Sequence, residues 1–301
     1  MGKKSGKSLY IMVSVLILAG AALFLYPAVS SYLAELNQVQ VIESYDQILE
    51  ELDERDYSAY REKAVEYNES LLGEPVKDPF LEGSGMALPE NYMEVLNMDD
   101  NGVMGTVEIP KISVSLPIYH GTEEEVLEKG AGHIRQTALP IGGAGNHAVL
   151  TGHTGLPHAK LFDNLSTLKL GDQFYIHILD EILAYQVDAI NVVLPNEVEL
   201  LDPIPGEDHI TLITCTPYGV NSHRLLVRGM RVAYIEEVKQ KEEQEAPLKS
   251  SVKGELLFKL GLIGIVIFAL LLVLLVVKFR KKDHVRITQR NKGDHNEKEE
   301  S

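Results

Sequence analysis

I-T-L-I-T-C-T-P-Y-G-V-N-S-H-R-L-L-V-R-G-M-R-V-A-Y, residues 210–234, consists of two β-branched, apolar runs separated by a loop of Pro, Gly, Asn and Ser. Branched side chains suit the pleated surface of a strand and the intervening residue types suit turns, so the segment reads as strand, loop and returning strand. The first run ends on Cys215, the only cysteine in the 301 residues, and the second opens on Arg224. If the loop folds back as a hairpin, the Arg224 guanidinium returns close to the Cys215 thiol.

Upstream, runs of the same texture lie at 103–109, 114–119, 147–151, 173–178 and 184–193, each cut by turn residues. Seven or eight short strands in about 130 residues predict a mainly β domain, a closed or nearly closed barrel. Short helices are expected at 123–129 and 158–165. Residues 31–72 lack proline, and Leu33, Leu36, Val39, Ile42, Tyr45, Ile48, Leu49 and Leu52 recur at helical spacing, which predicts one or two helices packed on the β domain. Gly73 and Pro75 end them, and the chain from 74 to 101 is irregular.

Two apolar runs, 9–26 and 260–277, are each long enough to cross a bilayer as a helix. Lys3, Lys4 and Lys7 precede the first, and Lys278, Arg280, Lys281 and Lys282 follow the second. The positive-inside rule puts both ends in the cytoplasm and everything between them outside the cell. Ala28-Val29-Ser30 also allows the first run to be a cleaved secretory signal, which exports the middle equally. The expected organisation is a basic end with a membrane segment or signal (1–30), a helical extension (31–73), a connection (74–101), the β domain (102–236), a linker (237–255), a transmembrane helix (256–277) and a disordered polar tail (278–301).

The formal charge is −16; with +3 on residues 1–30 and +3 on 278–301, the middle carries −22. So acidic a surface excludes nucleic acid as a partner, because binding phosphates needs a basic face. There is no phosphate-cradling glycine loop and no Cys/His cluster at zinc spacing, so neither cofactor nor metal is expected.

A thiol is mostly protonated at neutral pH and needs a base or a neighbouring cation to act as a nucleophile. His153 is the base candidate: in V-L-T-G-H-T-G-L-P, residues 149–157, it follows a β run and is flanked by glycines, at a strand end that can project into a cleft. Arg224 is the cation candidate, with a permanent charge able to stabilise an oxyanion. His120 and His133 read as turn residues, His177 as mid-strand, and His284 and His295 as cytoplasmic. His147 and His223 could lie near the site, but for each a structural role is the simpler reading.

Together, T-L-I-T-C-T-P-Y-G-V-N-S-H-R and L-P-I-G-G-A-G-N-H-A-V-L-T-G-H-T-G-L-P (139–157) resemble the sortases of Gram-positive bacteria, over about residues 102–234. The likeness is greatest to the class C, pilus-assembling sortases, which also carry a helical N-terminal extension and a C-terminal membrane helix. It implies an eight-stranded sortase barrel, with the catalytic His, Cys and Arg falling on His153, Cys215 and Arg224. It also implies a reaction, cleavage of an LPXTG-like sorting signal between Thr and Gly through a thioester. The acyl group then passes to a lysine amine of the next pilin. In that class a lid with an Asp-Pro-aromatic motif covers the thiol, which here implies Asp78, Pro79 and Phe80, with Asp78 pairing Arg224 and Phe80 lying on the sulfur. Thr154 departs from the pattern, since many pilin sortases have arginine after the histidine. Alternatives are a sortase that attaches proteins to peptidoglycan, a tethered scaffold that binds sorting signals without joining them, and a hydrolytic cysteine peptidase.

Overall fold

The computed structural model describes residues 5–52, 54–71, 91–98, 101–245, 259–261 and 263–264. Eight strands close a barrel: β1 (Val103–Ile109), β2 (Val114–His120), β3 (Ala131–His133), β4 (His147–Thr151), β5 (Gln173–Ile178), β6 (Glu181–Val193), β7 (His209–Thr216) and β8 (His223–Val232). Their order around the barrel is β1-β2-β3-β4-β7-β8-β6-β5. β2–β3 and β4–β7 run parallel and the other pairs antiparallel. Closure removes the open edges that a sheet of this size would otherwise expose.

The interior is filled from successive strands, with Val107, Ile118, Leu150, Phe174, Ile176, Tyr185, Leu212 and Val227 buried in one cluster. A smaller cluster joins Val149, Ile213 and Leu226, on alternate residues of β4, β7 and β8, to Ile134 just after β3 and Leu201 of the β6–β7 connection. β3 went unpredicted because three residues, two of them Ala and Gly, carry no periodic signal. His120 and His133, expected in turns, end β2 and β3. The expected helix at 158–165 is absent: that stretch is irregular and is followed by a 3-10 turn at Leu165–Thr167, while α3 (Glu124–Leu127) forms where a short helix was expected.

Two helices precede the barrel, α1 (Ser5–Glu51) and α2 (Glu54–Ser70). In α2, Tyr57, Tyr60, Ala64, Tyr67 and Asn68 make an i, i+3, i+4 stripe against the core. Asn68 binds Leu139 in both directions, accepting from its N–H at 2.7 Å and donating to its carbonyl at 3.3 Å. Tyr67 donates to Arg135 O at 3.0 Å. In α1 the packing face is Ala34, Gln38, Val41, Tyr45 and Leu49, whereas Leu33, Leu36 and Val39 of the expected stripe are exposed. Gln38 is buried because its amide donates to Lys129 O at 3.1 Å. The Tyr45 hydroxyl donates to Met104 O at 3.1 Å and accepts Leu179 N–H at 3.2 Å, joining α1 to the start of β1 and the β5–β6 turn.

The expected linker from 237 begins as a helix, α4 (Glu236–Glu245). Glu242 accepts Gln173 N–H at 2.9 Å, and Lys239 sits 2.8 Å from Glu108, whose carboxylate also takes His177 Nε2 at 2.9 Å. These two donors hold the Glu108 pKa down at about 2 against the opposing effect of burial. Of the two expected membrane helices, only the first yields a helix among the described residues that is long and apolar enough to span a bilayer. The second, 256–277, lies outside them apart from 259–261 and 263–264.

Candidate active site

β7 and β8 form a hairpin in which Cys215 and Arg224 are direct partners, one step inside the last pair, Thr216↔His223. The loop between them turns on Pro217 O, which accepts Val220 N–H at 3.0 Å and Asn221 N–H at 2.9 Å; Asn221 takes the left-handed conformation (φ 58). Arg224 is 7 % exposed, and its Nη1 lies 3.3 Å from the carbonyls of Asn221 and His223. A guanidinium so enclosed has little rotameric freedom. Cys215 is half-buried, shielded yet open to a substrate.

His153 arrives on β7's other neighbour. β4 and β7 are parallel, and two residues beyond their last pair, Thr151↔Ile213, stand His153 on one chain and Cys215 on the other. Backbone and side-chain bonds carry the alignment past the end of β4: Gly152 N–H donates to Ile213 O at 3.1 Å, and Thr214 Oγ1 donates to Gly152 O at 2.7 Å. His153 just past the end of β4, Cys215 on β7 and Arg224 on β8 thus lie on three neighbouring chains at one end of the barrel.

The loop after His153 is fixed by contacts the sequence does not reveal. The Asp163 carboxylate accepts Gly155 N–H at 2.9 Å and Leu161 N–H at 3.1 Å, and Phe162 N–H donates to His153 O at 3.0 Å. The two glycines of G-H-T-G have steric reasons. A Cβ on Gly152 would lie 2.9 Å from the buried Phe162 ring, and one on Gly155 (φ +81) would lie 2.8 Å from the ring of Tyr218. Both aromatic rings press on the backbone next to His153, so a larger residue at either position displaces it. On the outer side, His153 Nε2 lies 3.3 Å from Glu124 Oε2 at the start of α3.

Four other described histidines have partners of their own. His147, at the opposite end of β4, is buried between Asp202 O (3.1 Å) and Thr211 Oγ1 (2.7 Å), and burial lowers its pKa to about 4. His133 is fully enclosed: Tyr92 O–H donates to its Nδ1 at 2.9 Å and its Nε2–H donates to Ala138 O at 2.9 Å, a neutral tautomer whose pKa burial depresses to about 3. His120 Nε2 lies 2.8 Å from Val95 O, tying residues 91–98 to the barrel. His223, beside Thr216, bonds Ser222 Oγ at 2.9 Å. Among the described residues no group of three or more His, Cys, Asp or Glu is arranged to hold a metal ion. Asp78, Pro79 and Phe80 lie outside the described residues.

Three comparisons bear on this arrangement. The family profile for the sortase domain matches residues 107–232. Sortase A of Bacillus anthracis is 33% identical over 152 residues, covering 50% of this chain and 70% of that protein. Among solved structures, sortase C-1 of Actinomyces oris is 49% identical with a TM-score of 0.57, covering 60% of this chain and 99% of its own. A pilus-related sortase C of Group B Streptococcus is 42% identical with a TM-score of 0.59, covering 64% and 97%.

Proposed function

Because this chain belongs to the sortase family of cysteine transpeptidases, we propose that it joins pilin subunits, using Cys215 as nucleophile, His153 as acid and base, and Arg224 as oxyanion stabiliser. The observation that carries this reading is the alignment of His153, two residues past β4, with Cys215 on β7 and Arg224 on β8. The Cys215 thiolate attacks the Thr carbonyl of an LPXTG-like signal, and the negative charge that develops on that oxygen is met by the Arg224 guanidinium. Imidazolium His153 gives its proton to the departing glycine nitrogen as the C–N bond breaks, which leaves a thioester. A lysine amine then attacks the thioester, His153 takes its proton, and the thiolate leaves an isopeptide bond behind.

A pilin substrate is supported by the likeness to a pilus-related sortase C and by the helices packed before the barrel. The N-terminal apolar helix supports membrane anchoring or export, with the barrel outside the cell. A second anchor at 256–277 rests on its apolar sequence and the basic residues that follow it.

The test is intact mass of the full chain in detergent after mixing with an LPXTG-type peptide, with Cys215→Ala as control. An acyl adduct on the cysteine form alone is expected, discharged by a lysine of a pilin domain. Transfer to a peptidoglycan-type amine and not to pilin lysine would make the protein a cell-wall-anchoring sortase. Peptide bound with no adduct would make it a scaffold, and an adduct that only water discharges would make it a peptidase.

A further inference from the structure

His153 is held from two directions. Its backbone is fixed by the β4–β7 ladder and by Phe162, while its ring meets a carboxylate from outside the ladder, Glu124 Oε2, 3.3 Å from Nε2. Glu124 is the second of three consecutive glutamates, and its neighbour Glu123 is engaged by Arg135. The connection that carries Glu124 is itself tightly placed. β2 ends at His120, and α3 follows against β3, where Leu127 is buried. A Cβ on Gly132 would lie 2.4 Å from Gly121 O and 2.8 Å from Leu127 Cδ2. Gly132 pairs with Thr151, so the start of α3 is fixed one strand from the point where β4 delivers His153.

We propose that Glu124 is a positioning residue for the transpeptidation, holding the neutral His153 ring with its proton on Nε2. This inference rests on His153 being the acid and base of the reaction. A carboxylate at Nε2 can only accept, so the neutral ring keeps its hydrogen there and Nδ1 becomes the proton-exchanging atom. On acylation Nδ1–H passes its proton to the glycine nitrogen and the ring returns to the Nε2–H tautomer; on transfer Nδ1 takes the proton of the attacking lysine amine. The titratable and charged groups on the elements flanking His153 include Glu124 on α3, Cys215 on β7 and Arg224 on β8. On its own loop, Asp163 has an oxygen committed to each of two backbone N–H groups. Glu124 thus brings a carboxylate within hydrogen-bond reach of the ring. Its side chain is 71% exposed, so the effect must weaken as salt screens it.

The experiment compares the full chain in detergent with Glu124→Gln and Glu124→Asp. It follows kcat/KM for cleavage of an LPXTG-type peptide against pH at low and about 1 M salt. In parallel, 15N-histidine NMR reads the two ring nitrogens of His153, assigned by the signals missing from His153→Gln. The expected result is that the share of the neutral ring with its hydrogen on Nε2 falls in Glu124→Gln, with a lower kcat/KM. Both changes should be smaller at high salt and partly reversed in Glu124→Asp. An unmoved tautomer overturns the inference, whatever happens to the rate. A folded protein that forms no acyl adduct removes the proposed function instead, and the tautomer then decides on Glu124 alone.

Discussion

Cys215 and Arg224 face each other as one rung of the β7–β8 ladder. Because the rung is backbone-defined, strand pairing sets the two residues opposite each other, and the carbonyls of Asn221 and His223 hold the guanidinium. Arg224→Ala should lower acylation by about a hundred- to a thousandfold, the usual loss on removing an oxyanion donor. Arg224→Lys should recover little, since a flexible point charge does not replace a planar fork. Single-turnover thioester formation by mass spectrometry checks both, and unchanged rates would remove Arg224 from the chemistry.

Gly152→Ala should reduce kcat/KM by roughly ten- to a hundredfold with little change in peptide binding, because the new methyl pushes on Phe162 and shifts His153. The double variant Gly152→Ala with Phe162→Leu should regain part of the loss. No recovery would mean that the phenyl ring is not what limits the position.

Tyr45→Phe deletes a hydroxyl that both donates to Met104 O and accepts Leu179 N–H inside the protein. Leaving those groups without a partner should cost about 1–3 kcal/mol in urea unfolding of the full chain. The acylation rate at low denaturant should be unchanged, since the contact is remote from Cys215.

Stability should fall in acid in two windows. His133 and His147 have folded pKa values of about 3 and about 4 against an ordinary 6.5, so between those limits the unfolded chain binds protons that the native one does not. Stability therefore drops as pH falls below about 6.5, by at most ~1.4 kcal/mol per pH unit for each histidine. Glu108, lowered from 4.5 to about 2, contributes stability that is present above 4.5 and lost as pH falls through that lower window. Urea melts from pH 7.5 to 3.5 check the first window, in which His133→Gln should have a shallower slope.

Much of the barrel was legible because its strands are short, branched and cut by turns: β1, β4 and β5 occupy the residues their composition predicts. The hairpin around Pro217 was legible for the same reason, and it brings Arg224 opposite Cys215. The pairing of β4 with β7 was not, because its register is set by groups 62 residues apart, such as Thr214 Oγ1 and Gly152 O. Glu124 could not be told from Glu123 and Glu125, since proximity to His153 depends on how α3 sits on the three-residue β3. The face of α1 was read in part: Tyr45 and Leu49 of the expected stripe pack inward and Leu33, Leu36 and Val39 do not, because apolar residues occur all round the helix and the buried face is chosen by two polar anchors, Gln38 and Tyr45.

The parallel pairing of β4 with β7 also orders events in time. His153 is made long before Cys215, and the two become neighbours only when β7 slots beside β4, with β8 following to supply Arg224. A ribosome must therefore finish nearly the whole barrel before any acyl-transfer centre exists. On the proposed function, a chain still threading through the export machinery carries a thiol without His153 and Arg224 beside it, and gains them only where its last strands fold.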